Sequence, residues 1–126
     1  MSWQDYIDKQ LIGSKNISQA AIAGHDGNVW AKSDGFNVSK EEIVRLMAGL
    51  GDPTQFHMNG VHVNGTRFVY LSGNDQVVRA KKDKMGLHCV KTNQAVIVAT
   101  YNDPIQPQQA ASTAEGLGDY LIQCGY

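Results

Sequence analysis

The sequence predicts an α+β fold in which helices cover the faces of one antiparallel sheet, and three observations support that prediction. Apolar residues recur at helical spacing near both ends of the chain. Between them, strand segments follow one another about every ten residues, as in a meander. The connections are short turn sequences, which suit antiparallel neighbours. We expect residues 1–126 to form a single domain, since this length can bury a core without metal or disulfide.

The first predicted element is an amphipathic helix at about residues 2–12. Apolar side chains recur at every fourth position from Trp3 to Leu11. Ser2 can cap the start of this helix, and Gly13 can end it.

A β-hairpin and a second helix are expected next. The stretch SQAAIAGHDGNVWAKS has two short apolar runs on either side of the turn at residues 25–28, which is typical of a hairpin. Ser39 and Glu42 form a capping box for the following helix, which Gly49 is expected to end. The segment GDPTQFHMNG at residues 51–60 then reads as a loop.

About five strand segments follow that loop. Asn64 and Gly65 stand between two of them and are the strongest short-range signal for a hairpin turn. The segments QVVRAKK, GLHCVK and QAVIVATY continue the meander. Because QAVIVATY is continuously apolar, we expect it to be a central strand covered on both faces.

The last predicted element is a helix that begins near Pro107 and ends at about Cys124. Gly116 and Gly118 lower its intrinsic helix propensity, so we expect it to lean on the sheet. The first and last helices could lie side by side on one face. That arrangement would bring together the aromatic residues at the two ends of the chain.

Charge is segregated along the sequence. The net charge is −1, but residues 79–91 hold five Lys or Arg against one Asp, whereas the remainder holds six against eleven. A local excess of positive charge steers partners, while the small net charge argues against nucleic acid as a partner.

Other features indicate a cytoplasmic protein. No stretch approaches the roughly 18 apolar residues that a membrane span needs, so we do not expect an integral membrane protein. Polar residues near the start argue against a secretory signal. Cys89 and Cys124 stand at no metal-site spacing and are expected to be reduced thiols.

The sequence offers no catalytic, metal or cofactor site. Its four histidines stand at none of the spacings of a metal site, and Walker and GxSxG motifs are absent. His62 and His88 alternate with apolar residues on predicted strands, so we expect them on solvated or partner-facing sides. Cys89 is expected to be buried and inert, and Asp26 to cap its turn. We therefore predict a binding module and not an enzyme, with a small hydrolase built on His25 or Asp26 as an alternative.

Five aromatic residues with polar tips are the candidate binding residues. They are Trp3, Tyr6, Trp30, Tyr120 and Tyr126. Core packing is the ordinary role of such residues on an amphipathic helix. If the chain ends meet, however, the five can line one shallow groove suited to a proline-rich ligand. A polyproline II strand lacks N–H donors, so its receptor must combine donors with flat apolar faces, as Trp and Tyr do.

The blocks MSWQDYIDKQL, AAIAGHDGNVWAKS and GLGDYLIQCGY resemble the profilin family, and so do GVHVNGTRFVYL and VRAKKDKMGLHCVKTNQAVIVATY. The likeness runs in collinear order over essentially the whole chain, and it is to the short profilins of protists, fungi and plants more than to vertebrate ones. It implies a central antiparallel sheet with the terminal helices packed together on one face and a short helix on the other. It also implies a cytoskeletal protein that regulates actin polymerisation through monomeric actin, proline-rich proteins such as formins, and phosphoinositide head groups.

The resemblance implies three sets of site residues. Its polyproline-binding positions are Trp3, Tyr6, Trp30, Tyr120 and Tyr126. Its actin-binding positions are Arg67, Arg79, Lys81, Lys82 and Lys91. Its phosphoinositide-binding positions are Arg79, Lys81, Lys82 and Lys84.

This chain departs from the family pattern at one position. Family members often carry Lys or Arg just before the L-x-DYLI block, where this chain has Gly116 after Glu115. The missing charge predicts a lower actin affinity unless Lys84 compensates. A scaffold or sensor domain of the longin or roadblock kind is the alternative, and it would not need the five aromatic residues together.

Overall fold

A computed structural model describes residues 2–126 and contains one sheet of seven antiparallel strands. The strands are β1 (Gln19–Gly24), β2 (Val29–Lys32), β3 (Val61–Val63), β4 (Thr66–Gly73), β5 (Val77–Lys82), β6 (Met85–Lys91) and β7 (Ala95–Asn102). Their order across the sheet is β2-β1-β7-β6-β5-β4-β3. Each strand from β3 to β7 pairs with the next one in the chain, which confirms the predicted meander, and β1 joins β7.

The N-terminal helix packs over β1 and β2 on one face of the sheet. It consists of α1 (Trp3–Asp5), a π-helix (Tyr6–Leu11) and one 3-10 turn (Ile12–Ser14). Ser2 caps its first turn as predicted, and fully buried Ile7 and Leu11 anchor it to the sheet. The predicted end was two residues early, because Gly13 continues the helical path and the left-handed Lys15 (φ 65°) ends it.

Two helices, α2 (Lys40–Gly51) and α3 (Thr54–Asn59), cover the opposite face of the sheet. The capping box of Ser39 and Glu42 is present as predicted. The predicted end at Gly49 and the predicted loop after it were both wrong. Gly49 does not stop the helix; instead, its missing side chain makes room for the buried Phe56 ring of α3, which an added Cβ would overlap.

Glu42 also joins α2 to the sheet. One carboxylate oxygen accepts hydrogen bonds from the N–H groups of Ser39 and Asn64, each at 2.9 Å. The other oxygen accepts from the Gly65 N–H at 2.9 Å. Asn64 and Gly65 both have positive φ in the turn between β3 and β4, as their sequence predicts. The Glu42 side chain, which completes the capping box of the helix, therefore also anchors that turn.

The sheet separates two hydrophobic cores, and the residues of β7 alternate between them. Val96 and Val98 belong to the core beneath α2 and α3. Ala95, Ile97 and Ala99 belong to the core beneath the terminal helices. This strand is therefore covered on both faces, as its apolar sequence predicts.

The C-terminal helix, α4 (Pro107–Gln123), packs closely on β6 because small residues face the sheet. Ala110 and Ala114 are fully buried. At Gly118, an added Cβ would lie only 2.7 Å from Val90 Cγ1. At Gly116 the same position is open, with no atom within 4 Å. Of the two glycines that weaken this helix, one is therefore required by packing and the other is not.

Substituting the two glycines by alanine should have opposite effects on stability. Gly118→Ala should lower the free energy of unfolding by about 1–3 kcal/mol, because the new methyl group overlaps the buried Val90. Gly116→Ala should raise it by about 0.5–1 kcal/mol, because alanine favours the helix and the space is free. Urea denaturation followed by circular dichroism measures both changes. Equal changes in the free energy of unfolding at the two positions would show that the contact with Val90 does not require glycine at position 118.

Candidate functional site

The five candidate aromatic residues lie together in the structure. Trp3 is at the centre, and its ring centroid lies 4.8 Å from that of Trp30 and 5.0 Å from that of Tyr126. The Tyr6 ring lies 5.6 Å from Trp3 on one side and 6.3 Å from Tyr120 on the other. These contacts connect all five rings into one surface, which we call the aromatic groove.

The rings of the aromatic groove are only partly covered. Tyr120 and Tyr126 are 50% and 41% exposed. Trp3, Tyr6 and Trp30 are half-buried where they pack against the core beneath the terminal helices. Core packing alone therefore does not describe these residues, because each ring keeps area that a ligand can cover.

Hydrogen bonds hold the last residue of the chain against the turn between β6 and β7. The main-chain oxygen of Tyr126 accepts from Thr92 Oγ1 at 2.8 Å and from the Gln94 N–H. The Gln94 side-chain amide donates to the Gly125 carbonyl at 3.2 Å. The Tyr126 N–H donates to the Leu121 carbonyl at 2.8 Å. The Tyr126 ring is thus placed by a fixed backbone.

The other half of the groove is fixed by Gln4 and Gly24. The Gln4 side-chain amide donates to the Lys32 carbonyl at 2.9 Å, which holds the helix that carries Trp3 against the strand that carries Trp30. Gly24 leaves space for the indole, since an added Cβ would lie 3.2 Å from Trp30 Nε1. Both contacts keep the two indole rings side by side.

The phenol of Tyr120 remains a hydrogen-bond donor at neutral pH. Its hydrogen bond with Cys124, followed by the nearby Tyr6 hydroxyl, raises the pKa of Tyr120 above its ordinary value. A protonated hydroxyl can donate to a peptide carbonyl. The groove therefore offers O–H donors beside apolar ring faces.

The candidate basic residues divide between the two faces of the sheet. On β5, Val78 and Ala80 point into the core beneath α2 and α3. Because side chains alternate along a strand, Arg79 and Lys81 point to the face of the terminal helices and Lys82 points to the other face.

The same alternation places the remaining basic residues. Arg67 lies on the same face of the sheet as Arg79 and Lys81, because its neighbour Phe68 points into the core beneath α2 and α3. Lys91 lies on the opposite face, because Val90 belongs to the core beneath the terminal helices. Lys84 lies in the turn between β5 and β6.

Two apolar residues that the sequence analysis missed complete the surface around Arg79. Val69 and Leu71 of β4 are 59% and 58% exposed, and Val69 is the cross-strand neighbour of Lys81. The segment FVYL shows that these two residues alternate with buried ones. The sequence does not show, however, that the terminal helices leave this part of the sheet uncovered. We call this area the basic sheet surface; it comprises Arg67, Val69, Leu71, Arg79 and Lys81.

His88 is buried beneath α4, so the prediction of a solvated or partner-facing position was wrong. It is 2% exposed, and its Nε2 lies 3.0 Å from Glu115 Oε2 without hydrogen-bond geometry. The same carboxylate lies 4.0 Å from the Arg79 guanidinium. Burial lowers the pKa of His88; Glu115 opposes this effect, and Arg79 adds to it. The Glu115 carboxylate of α4 therefore links this helix to Arg79 of β5 and to the titratable His88 of β6.

The other residues considered for chemistry have structural roles. Cys89 is fully buried, and burial raises the pKa of its thiol, as expected for an inert cysteine. Asp26 accepts the Asn28 N–H at 3.0 Å and so caps its turn, as predicted. Among residues 2–126, no group of three or more His, Cys, Asp or Glu is placed to hold a metal ion. No helix within that range has the length and apolar character of a membrane span.

Known proteins share this arrangement over the whole chain. A sequence model of the profilin family matches residues 1–126. The profilin of Drosophila melanogaster is 59% identical over 126 residues, which are 100% of each chain. The crystal structure of Acanthamoeba castellanii profilin II is 44% identical, with a TM-score of 0.96 over 99% of this chain and 100% of that one. Mouse profilin IIa, solved with a double repeat from the FH1 domain of mDia1, shares the fold at 19% identity, with a TM-score of 0.82 over 100% of each chain.

The fold and these similarities define a class of actin-binding regulators that are not enzymes. The chain belongs to the profilin family. The α+β fold with terminal helices on one face and the non-enzymatic class are thereby confirmed. The assignment of individual residues to ligands stays a prediction.

The stability of the folded protein should fall as the pH drops below about 6.5, the ordinary pKa of His88. In that range the unfolded chain binds a proton that the folded protein excludes, so acid favours unfolding. One such proton gives a slope of at most about 1.4 kcal/mol per pH unit. Urea denaturation at several pH values measures this slope.

His88→Gln should flatten that dependence, because the glutamine has no proton to take up. Glu115→Gln should extend it to lower pH, because Glu115 is the neighbour that raises the His88 pKa. An unchanged profile in His88→Gln would assign the acid sensitivity to other groups.

Proposed function

We propose that this chain binds monomeric actin and proline-rich proteins such as formins, and so regulates actin polymerisation in the cytoplasm as a single domain over residues 1–126. The observation that carries the proposal is the contact between rings from both ends of the chain, with Trp3 and Tyr126 at 5.0 Å. Core packing accounts for only part of each ring in this groove, and the rest of the ring surface stays exposed.

The chemistry of the aromatic groove suits a polyproline II ligand. The ligand has no N–H donors, and its carbonyls point outwards. Trp and Tyr rings cover the pyrrolidine rings, while their N–H and O–H groups donate to the carbonyls. The ligand is stiff before it binds, and the groove is fixed by Gln4, Gly24 and Thr92, so little conformational entropy is lost. The mouse relative solved with an FH1 repeat supports this ligand class.

Trp3→Ala should abolish detectable binding of a decaproline peptide. Trp3 contacts three of the other four rings, and central aromatic residues of an interface typically contribute about 2 kcal/mol or more. Isothermal titration calorimetry measures the affinity, and circular dichroism checks the fold.

Tyr70→Ala is the matched control for this variant. Tyr70 is also a half-buried aromatic residue, but it packs on Phe56 in the core beneath α2 and α3. It should keep decaproline binding. Wild-type affinity in a folded Trp3→Ala variant would refute the groove as the peptide site.

The basic sheet surface supports the proposal for actin. Arg79 and Lys81 stand beside exposed Val69 and Leu71, and an apolar patch rimmed by charge is typical of a protein interface. Its positive charge complements an acidic area on a partner and would speed association. Lys82 and Lys91 lie on the other face, so the basic sheet surface alone does not explain an actin role for these two residues.

Charge reversal at neighbouring positions of β5 tests which face binds actin. Lys81→Glu should weaken actin binding more than Lys82→Glu does, because Lys81 lies on the basic sheet surface and Lys82 does not. The difference should be larger at low salt, where screening is weak. Co-sedimentation or fluorescence titration with monomeric actin at two salt concentrations measures it. Equal losses for both variants, or no dependence on salt, would count against the assignment.

We further propose that Arg79, Lys81, Lys82 and Lys84 bind phosphoinositide head groups. The four cations lie within one hairpin of β5 and β6, and lipid phosphates attract such clusters. Arg79 and Lys81 are shared with the basic sheet surface, so lipid and actin would compete. The same two variants, tested on vesicles that contain phosphatidylinositol bisphosphate, show whether Lys82 contributes to lipid binding more than to actin binding.

A further inference from the structure

One carboxylate is shared between a buried histidine and an arginine of the basic sheet surface. Glu115 Oε2 lies 3.0 Å from His88 Nε2 and 4.0 Å from a terminal guanidinium nitrogen of Arg79. Arg79 and His88 stand directly opposite each other on β5 and β6, so both side chains point to the face that α4 covers. His88 is 2% exposed, whereas the Arg79 side chain is 50% exposed. The three groups therefore connect the protein interior to a proposed binding surface.

These three side chains surround a small cavity at the start of α4. The cavity has a volume of about 250 Å³, and Tyr101, Pro107 and Gln108 also line it. Within residues 2–126, His88 Nε2 is the one buried side-chain nitrogen or oxygen that has no hydrogen-bond partner. A buried polar atom without a partner is rare in a folded protein and calls for a functional or structural reason.

The charge balance of the cluster depends on the protonation of His88. Burial lowers the pKa of His88, Glu115 opposes this effect and Arg79 adds to it, so the ring is neutral at neutral pH. From β7, the ring faces Ala99 and the nearby phenol of Tyr101, which is uncharged because burial raises its pKa. In this state Arg79 supplies the positive charge that balances Glu115.

Protonation of His88 gives the carboxylate a different partner. The imidazolium has an N–H on both ring nitrogens, so Nε2 can donate to Glu115 Oε2 in a charge-assisted hydrogen bond. Glu115 is then paired with the nearer His88, and the charge of Arg79 is no longer balanced. One proton on a buried ring thereby raises the positive charge that the basic sheet surface presents to a partner.

We propose that an acidic partner on the basic sheet surface binds together with a proton, which His88 takes up. This inference rests on the proposed binding of actin to that surface. Carboxylates of the partner compete with Glu115 for Arg79, and the displaced Glu115 would stay without a counter-ion beneath the contact. The proton on His88 supplies that counter-ion. Binding is therefore tighter at acidic pH than at neutral pH.

The direction of this pH dependence follows from linkage between binding and protonation. The complex holds more protons than the free protein, so its dissociation constant falls as the pH falls. One proton changes the affinity by at most about tenfold per pH unit. Because burial keeps the pKa of His88 below its ordinary value in the free protein, the gain in affinity should appear below neutral pH.

Titration of monomeric actin at about pH 7.5 and about pH 6 tests the proposal. The wild type should bind about threefold tighter at the lower pH, within the limit set by one proton. Isothermal titration calorimetry in two buffers of different ionisation enthalpy measures how many protons are taken up on binding. Circular dichroism checks that each protein is folded at both pH values.

Three variants separate the cluster from other titrating groups. His88→Gln should lose most of the proton uptake, because glutamine cannot be protonated. Glu115→Gln should also take up fewer protons, and it should bind actin tighter than the wild type at neutral pH because Arg79 has lost its competing carboxylate. Asp119→Asn is the matched control, since it removes the same charge from an exposed position of the same helix. This variant should keep the proton uptake of the wild type.

Two results would overturn the proposal. One is equal proton uptake in His88→Gln and the wild type, and the other is a neutral-pH affinity of Glu115→Gln no higher than that of Asp119→Asn. Glu115 is partly exposed, so its variant decides the question even if His88→Gln does not fold. Failure of the proposed function is a different result, because the wild type would then bind actin at neither pH.

Discussion

The attachment of both chain ends to one sheet is the constraint on which the proposed binding surfaces depend. The main-chain oxygen of Tyr126 is held by Thr92 in the turn between β6 and β7, and Gln4 holds the N-terminal helix to Lys32 of β2. Between these polar contacts, the fully buried Ile7 packs in the core that joins the terminal helices to the sheet. The aromatic rings project from backbone that is already fixed. A stiff peptide that meets a fixed groove loses little entropy on binding, so modest contacts suffice for recognition.

Local signals predicted most of the fold because each acts within a few residues. Ser39 begins α2 through its own capping box, and Gly65 adopts the positive φ that its turn requires. The elements that were missed depend on distant contacts. Helix α3 is only six residues long, too short to be stable alone, and it is held where the Phe56 ring packs over Gly49. Gly49 was interpreted as the end of the helix because the sequence alone does not show whether a glycine ends a helix or makes room for a neighbouring ring.

The candidate site was predictable to a similar extent and for similar reasons. The five aromatic residues stood out by type, and their meeting required that the terminal helices lie side by side and that β2, which carries Trp30, lie next to the first helix. The tether of Tyr126 was not visible, because Thr92 is 34 residues away and a Thr-Asn-Gln sequence resembles any polar turn. The two faces of β5 could be separated by alternation, but the sequence does not say which face a helix leaves open. His88 was misplaced for that reason: alternation put it opposite Cys89, and α4 then covered it.

The C-terminal helix touches both candidate surfaces and also keeps them apart. Glu115 faces His88 and Arg79 beside the basic sheet surface, whereas Tyr120 faces Tyr6 in the aromatic groove. Five residues separate them, which is about 7.5 Å along the helix and about 140° around it. A partner on the sheet and an extended peptide in the groove therefore approach the helix from different directions. Because a proline tract is thin and stiff, it can occupy the groove without crossing the sheet surface. Under the proposed function, this geometry lets one molecule hold actin and a proline-rich ligand at once.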